Sequence, residues 1–397
     1  MRVGVVADRV SPEVGGVFTF IRPIIDAIRE CSSNHEFVIW EAALEGTIKS
    51  RWMELVKHAG ESVGAGRLIR LAARMTSIQA VYAAGRIEQF ILESDIDVMW
   101  FLSQTNAPVS VPYFTTVWDL QHRRQPFFPE VSTTGWTWDA RERAFRSKLP
   151  RASRIITGTQ AGKDEIIAFY GVCPQNVIVV PMPIAEADLS GDSDSRIDVS
   201  AKYGLKSQYL FYPAQFWPHK NHVNLLLALD LLKRNAGVEL DLVLTGSDKG
   251  NLNHVCETVA ALRLTSQVNN LGFVPKADLH WLYREANSLV FPSFFGPDNI
   301  PPLEAFALGC PVMAARVPGS EEQLGNAALL FDPADPADIA RAILTVHGDR
   351  RLRAELIKRG RGVASARSPR AYVEQICCVL DDFTAIRRCW GRHYQHN

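Results

Sequence analysis

The chain of 397 residues is 47% hydrophobic and 22% charged, and its 43 Lys and Arg are balanced by 43 Asp and Glu to a formal net charge of zero. Such a length is too great for one ordinary core and indicates about two domains, while the composition excludes disordered and fibrous classes. Charge neutrality excludes a dedicated nucleic-acid binder, which carries a basic surplus.

Val3 to Ala7 has a buried-strand pattern and is followed by Gly15-Gly16-Val17 and an apolar-periodic helix from Phe18 to Ile28. Strand, glycine loop and helix in that order let a backbone approach a phosphate or sugar closely, although a plain turn has the same pattern. Phe37 to Trp40 reads as a second strand. From 47 to 92 the pattern is helical, with Lys49, Arg51, Lys57, Arg67, Arg70 and Arg74 set among apolar residues. This basic amphipathic stretch suits an anionic membrane surface; the alternative is an ordinary solvated helix face. Asp97 to Leu102 and Tyr113 to Val117 are further strands, the second running into Trp118-Asp119-Leu120-Gln121-His122. A polar cluster at the carboxyl end of a strand is where an α/β domain places its chemistry. His122 reads either as a hydrogen-bonding group for a ligand or as a structural loop histidine. A helix from Trp136 to Leu149, a strand from Arg154 to Thr159, a helix from Gln160 to Tyr170 and a strand from Asn176 to Pro181 continue the alternation of a covered parallel sheet. Past Pro183 the residues turn small and polar, the best linker in the chain.

A second cycle opens with a strand from Tyr209 to Pro213, a loop carrying Gln215 and Lys220, and a helix from Val223 to Arg234. Strands follow at Glu239 to Thr245, ending in Gly246-Ser247, and at Val268 to Leu271, ending in Gly272-Phe273-Val274. A helix from Lys276 to Glu285 leads to the strand Ser288 to Phe291, a Gly, Pro, Asp and Asn loop, and a helix starting at Pro301-Pro302 that Gly309 ends. Glu304 falls in the first turn of that helix. A carboxylate there can grip the hydroxyls of a ribose while helix-start N–H groups hold a diphosphate, the plainer reading being a favourable interaction with the helix dipole. Strands at Pro311 to Ala315 and Ala328 to Phe331 and helices to the end complete the pattern, with Tyr372, Val373, Ile376, Val379, Leu380 and Phe383 at helical spacing.

The segment FPSFFGPDNIPPLEAFALGCPV resembles the donor-binding motif of the retaining glycosyltransferases of family 4, which include glycogen synthases and many bacterial mannosyltransferases. The resemblance implies an α/β fold of GT-B architecture: two facing Rossmann-like domains and a final helix crossing back to the first. Residues 1–185 with about 370–397 would bind the acceptor, 186–207 would link, and 208–369 would bind a nucleotide sugar. Glu304 matches the second Glu of the family's pair; the first falls on Gly296, with Asp298 or Asn299 as substitutes and Ile300 beside them. Lys220 matches the family's diphosphate-binding Lys, while Gln215 replaces its Arg partner. Gly15, Gly16 and Gly246 would line the cleft, and the backbone near Phe273 and Val274 would face the base. Trp118 stands where relatives often carry a His near the reacting sugar, Asp119 matches the Asp that follows it, and His122 lies just beyond. Arg123, Arg124 and the run from Gln125 to Glu130 resemble an acceptor-side loop.

The implied function is transfer of a hexose, with a lean towards mannose, from a GDP- or UDP-linked sugar to a glycan or lipid-linked acceptor in surface-polysaccharide or O-antigen synthesis. No cofactor and no metal are expected, the donor being a substrate. Scattered cysteines without a zinc or redox spacing, the absence of a signal pattern and the absence of a long apolar run suggest a cytoplasmic chain, peripheral on the inner face of the membrane. An epimerase or phosphorylase of the same fold and a catalytically silent nucleotide-sugar-binding scaffold are the alternatives.

Overall fold

The computed structural model describes residues 1–8, 16–42, 85–104, 109–133, 136–184, 199–205 and 208–391. Gly15 and most of the basic amphipathic stretch lie outside these residues.

The strands are β1 (Arg2–Asp8), β2 (Glu36–Ala42), β3 (Val98–Phe101), β4 (Tyr113–Thr116), β5 (Arg154–Thr157) and β6 (Val177–Val179), then β7 (Tyr209–Pro213), β8 (Asp241–Thr245), β9 (Val268–Asn270), β10 (Ser288–Phe291), β11 (Val312–Ala315) and β12 (Ala328–Phe331). They form two six-stranded sheets, ordered β2-β1-β3-β4-β5-β6 and β12-β11-β10-β7-β8-β9. Every pairing is parallel. Parallel strands joined by helices are covered on both faces, which is why β3, β4, β10 and β11 are buried at every position and read as unbroken apolar runs. The two-unit α/β architecture read from the sequence is therefore present.

One face of the first sheet packs on the helices Gly16–Glu30 and Pro369–Arg387, which meet over Val5, Trp100 and Phe114. Ser368 caps the last helix by accepting from Ala371 N at 3.1 Å, and Pro369 supplies a first-turn residue with no N–H to satisfy. Its Val373, Ile376 and Leu380 are wholly buried, each contributing about 1.5–3 kcal/mol. A buried ion pair, Arg387 to Asp97 at 3.0 Å, fastens its far end beside β3.

Three details depart from the sequence reading. Within the span expected to be a linker, Val199–Tyr203 is a helix whose Tyr203 hydroxyl donates to Asp278 at 2.6 Å, so this piece packs on the second unit. Leu252–Ala261 is a helix that the pattern did not announce, since Val255 is its only buried residue. The helix after β10 spans Ile300–Leu308, one residue earlier than the prolines suggest, which puts Glu304 in its second turn. Gly309 ends that helix at φ 75°, a left-handed conformation that an L side chain resists.

Candidate active site

The loops at the carboxyl ends of both sheets enclose a cavity of about 820 Å³. The first unit contributes Phe18, Thr19, Trp118, Asp119 and Arg141, and the second contributes Gln215, Lys220, Gly246, Phe273, Val274 and Glu304. The loop residues Asp298, Asn299 and Ile300 line it as well.

Lys220 closes a short turn, Pro218–Lys220, at the end of β7. Asn221 follows at φ 59°, and its side-chain amide donates to Pro292 O at 2.9 Å and Pro333 O at 2.8 Å, fixing the turn to the loops after β10 and β12. Tyr212 adds a hydrogen bond from its hydroxyl to Lys220 O at 2.6 Å. The Lys220 ammonium lies 5.3 Å from the centre of the Phe291 ring. Burial pushes its pKa down to about 8, with the carboxylates of Asp119 and Glu130 opposing the shift. It remains largely cationic at neutral pH and can pair with an anion. Gln215, where the family has its second cation, is neutral, and its carbonyl oxygen accepts from Trp217 Nε1 at 3.0 Å.

Glu304 lines the cavity and accepts from the Tyr283 hydroxyl at 2.8 Å. Burial pushes its pKa up, against the Tyr283 hydrogen bond and the charge of Lys276. Of the first three positions of its helix, only Ile300 carries an N–H, because Pro301 and Pro302 follow. The helix start therefore offers an anion fewer donors than the pattern of loop and helix suggested. Gly246 has φ 142°, and a Cβ there would sit 2.3 Å from Ala214 O, a backbone atom that cannot swing aside. Phe273 is 56% exposed at the mouth, a ring face open to a flat ligand, whereas Val274 is buried.

The position of the motif's absent first Glu is crowded. Gly296 sits at φ 131°, and a Cβ built on it would lie 2.2 Å from Asn299 Oδ1. The Asn299 amide occupies that space and donates to Gly296 O at 2.8 Å. Asp298 behaves differently. Its carboxylate abuts Gly158 at the end of β5, where an added Cβ would be 2.2 Å from Oδ1. Both oxygens are buried without a well-aligned hydrogen bond, and burial raises the pKa to about 7, against the charge of Arg367. Beside it, Glu322 accepts from Gln160 N at 2.7 Å, so two carboxylates of the second unit meet one helix start of the first.

The structure does not bring His122 to the cavity. The short helix Gln121–Arg124 turns its ring inward, where it is 0% exposed and Nε2 lies 2.9 Å from Glu142 Oε1 and 3.2 Å from the Tyr170 hydroxyl. Burial lowers the His122 pKa, with Glu142 opposing. Burial would raise Glu142, but hydrogen bonds from Arg123, Tyr170 and His122 outweigh it and bring its pKa to about 2. Arg123 and Arg124 are held by Glu142 and Glu165, and part of the expected acceptor loop is the helix Glu130–Thr133. Gly16 begins the helix Gly16–Glu30.

Sequence reasoning missed Arg141 on the cavity wall and the meeting of Glu130 with His219, whose backbone N–H donates to Glu130 at 3.2 Å across the two units. No local pattern marks either, because each pairs segments far apart in the chain. Trp118 stacks edge-on to Phe20 at 5.6 Å, and its buried indole nitrogen has no hydrogen-bond partner.

Two parallel-sheet units enclosing a cavity between their carboxyl ends define the GT-B architecture of glycosyltransferases. Residues 195–363, which span the second sheet, match the family described as glycosyl transferases group 1, and the resemblance read in the Glu304 segment is borne out. O-antigen chain mannosyltransferase B of Escherichia coli is 29% identical over 227 residues, covering 57% of this chain and 59% of that protein. The chain spans about half the length of the curated relatives it matches. A sucrose-phosphate synthase of Thermosynechococcus elongatus superposes with a TM-score of 0.72 at 15% identity, covering 97% of this chain and 99% of that one. Anabaena HepE in complex with UDP-glucose gives 0.64 at 17% identity over 96% and 100%. At such identities the likeness is one of fold. Among the described residues no helix is long and apolar enough to cross a membrane.

Proposed function

We propose that this protein is a retaining hexosyltransferase that moves a mannosyl group from a nucleotide sugar, GDP- or UDP-linked, to a glycan or lipid-linked glycan acceptor in surface-polysaccharide synthesis, without a metal. The observation that carries the reading is the cavity, in which Lys220 and Glu304 of the group 1 unit share one space with Asp119 of the other sheet. The mannosyl and O-antigen parts of the reading are supported by the relatives matched over about half their length.

In this reading the second unit holds the donor. Glu304 grips donor hydroxyls and is itself oriented by Tyr283. Lys220 stabilises charge on the diphosphate as the bond from the anomeric carbon to its oxygen breaks, an electrostatic contribution made in a water-poor space. The acceptor hydroxyl attacks the same face of the sugar, and its proton passes to the departing phosphate oxygen. Asp119 orients the sugar or acceptor and supports the charge on Lys220.

The test is transfer from GDP-mannose and from UDP-glucose to a panel of glycan acceptors, with and without a chelator, followed by NMR of the anomeric centre. Retention of configuration, indifference to chelation and loss of turnover in folded Lys220→Ala and Glu304→Ala proteins are expected. An inverted product would overturn the retaining mechanism, and normal turnover in either variant would overturn the site. Nucleotide binding without turnover on any acceptor would favour the silent scaffold, a reading kept because Gly296, Gln215 and Trp118 replace groups that the family motif carries.

A further inference from the structure

The donor wall of the cavity is short of positive charge. Gln215 is neutral and tied to Trp217, and the helix beginning at Ile300 has prolines at its next two positions. Lys276 lies at the rim, exposed and acting on Glu304. Lys220 is the half-buried donor-side cation on that wall.

A second half-buried cation faces the same space from the opposite wall. Arg141 lines the cavity from the helix Trp138–Lys148. Its guanidinium lies 4.7 Å from the centre of the Trp136 ring, and Nε donates to Trp136 O at 3.0 Å. That contact uses one donor and steadies the fork against the ring, leaving the four N–H donors of the two terminal amino groups. Among the described residues no carboxylate lies within ion-pair distance of it. Its neighbour Glu142 turns away to Arg123, Arg146 and Tyr170. The carboxylates of Asp119 and Glu130 favour the charged form of both Arg141 and Lys220, so the two cations lie in the field of the same acids. A guanidinium held rigid, partly dried and without a carboxylate in ion-pair contact is a site for an oxyanion, which the planar fork can take in two parallel hydrogen bonds.

We infer that Arg141 binds a phosphate group in the cavity, supplying from the first unit the positive charge that Gln215 does not provide from the second. This rests on the nucleotide-sugar reading of the cavity. The phosphate belongs to the donor diphosphate or to a phosphorylated acceptor, and two titrations separate these sources. Calorimetry with GDP, UDP and inorganic pyrophosphate on the wild type, Arg141→Gln and Arg141→Lys tests the donor source. Inorganic phosphate titrated onto protein saturated with whichever nucleotide binds tests the acceptor source. Loss of the bidentate charge-assisted contact predicts roughly tenfold to hundredfold weaker binding in Arg141→Gln. Arg141→Lys, which keeps the charge but not the fork, is expected to fall between, and it carries the test if Arg141→Gln does not fold. Weakened nucleotide and pyrophosphate binding assigns Arg141 to the donor; unchanged nucleotide binding with lost phosphate binding assigns it to the acceptor. If both ligands bind the wild type and the Arg141 variants equally, the inference is overturned. If the wild type binds neither nucleotide, the failure lies with the nucleotide-sugar reading itself.

Discussion

Asp298 should make the protein's stability fall as the pH rises towards neutrality. Its folded pKa is about 7 against an ordinary 3.8, a difference of roughly 3 units, and at about 1.4 kcal/mol per unit the ceiling is about 4 kcal/mol. The sign follows from proton counting. Between pH 3.8 and 7 the folded chain holds a proton on Asp298 that the unfolded chain has released, so the group's full contribution is present below about pH 4 and is lost as the pH passes through 7. Buried His222, whose pKa burial lowers to about 3, acts in the opposite direction, so the wild-type profile alone does not isolate the effect. Asp298→Asn keeps the shape against Gly158 and cannot titrate. Urea unfolding of both proteins at half-unit steps from pH 4 to 8 should show the wild type losing at least about 1.4 kcal/mol relative to the variant, one unit's worth. Curves that stay parallel within about 0.5 kcal/mol over that range would refute the claim that this carboxyl is held dry at the contact between the two units.

Nucleotide affinity should fall tenfold per pH unit above about 8, as free Lys220 loses its proton, and this slope should vanish in Lys220→Ala; fluorescence titration between pH 7 and 9.5 reads it. Tyr283→Phe removes the hydroxyl that orients Glu304 and should weaken donor binding about tenfold, the order of one hydrogen bond, as read by calorimetry. Arg387→Ala strands buried Asp97 without its cation and should cost about 3–5 kcal/mol, read by denaturant unfolding; Asp97 also accepts from Arg2 N at 2.8 Å, so the loss reaches the first strand. Gly246→Ala should abolish nucleotide binding, because its Cβ would meet the Ala214 carbonyl and displace the loop after β7; an unchanged calorimetric affinity would contradict that packing.

The strands were legible because a parallel sheet covered on both faces leaves continuous apolar runs, as at Tyr209–Pro213 and Ser288–Phe291. Gly309 was legible as a stop because few other residues adopt its φ. Lys220, Asp119 and Glu304 could be read from their position after strands, and the structure places them around one cavity. His122 misled for a physical reason: a polar residue after a strand looks like a ligand group until its partner Glu142, twenty positions on, is seen to turn it inward. Arg141 was illegible because a cavity-facing arginine on a helix has the same local pattern as a solvated one. That the Asn299 side chain lies beside Gly296 and the Asp298 carboxylate beside Gly158 depends on the positive φ of Gly296 and the volume around it, which no spacing encodes.

The helix Pro369–Arg387 gives the chain an order of assembly. The face of the first sheet that carries Val5, Trp100 and Phe114 is covered by residues that a ribosome makes after the whole second sheet. During synthesis that apolar face therefore waits only partly covered, by the helix Gly16–Glu30, while the second unit, contiguous from β7 to β12, can already close its own core. Vectorial synthesis thus allows the later unit to complete its core before the earlier one, whose core is complete only when the helix Pro369–Arg387 docks.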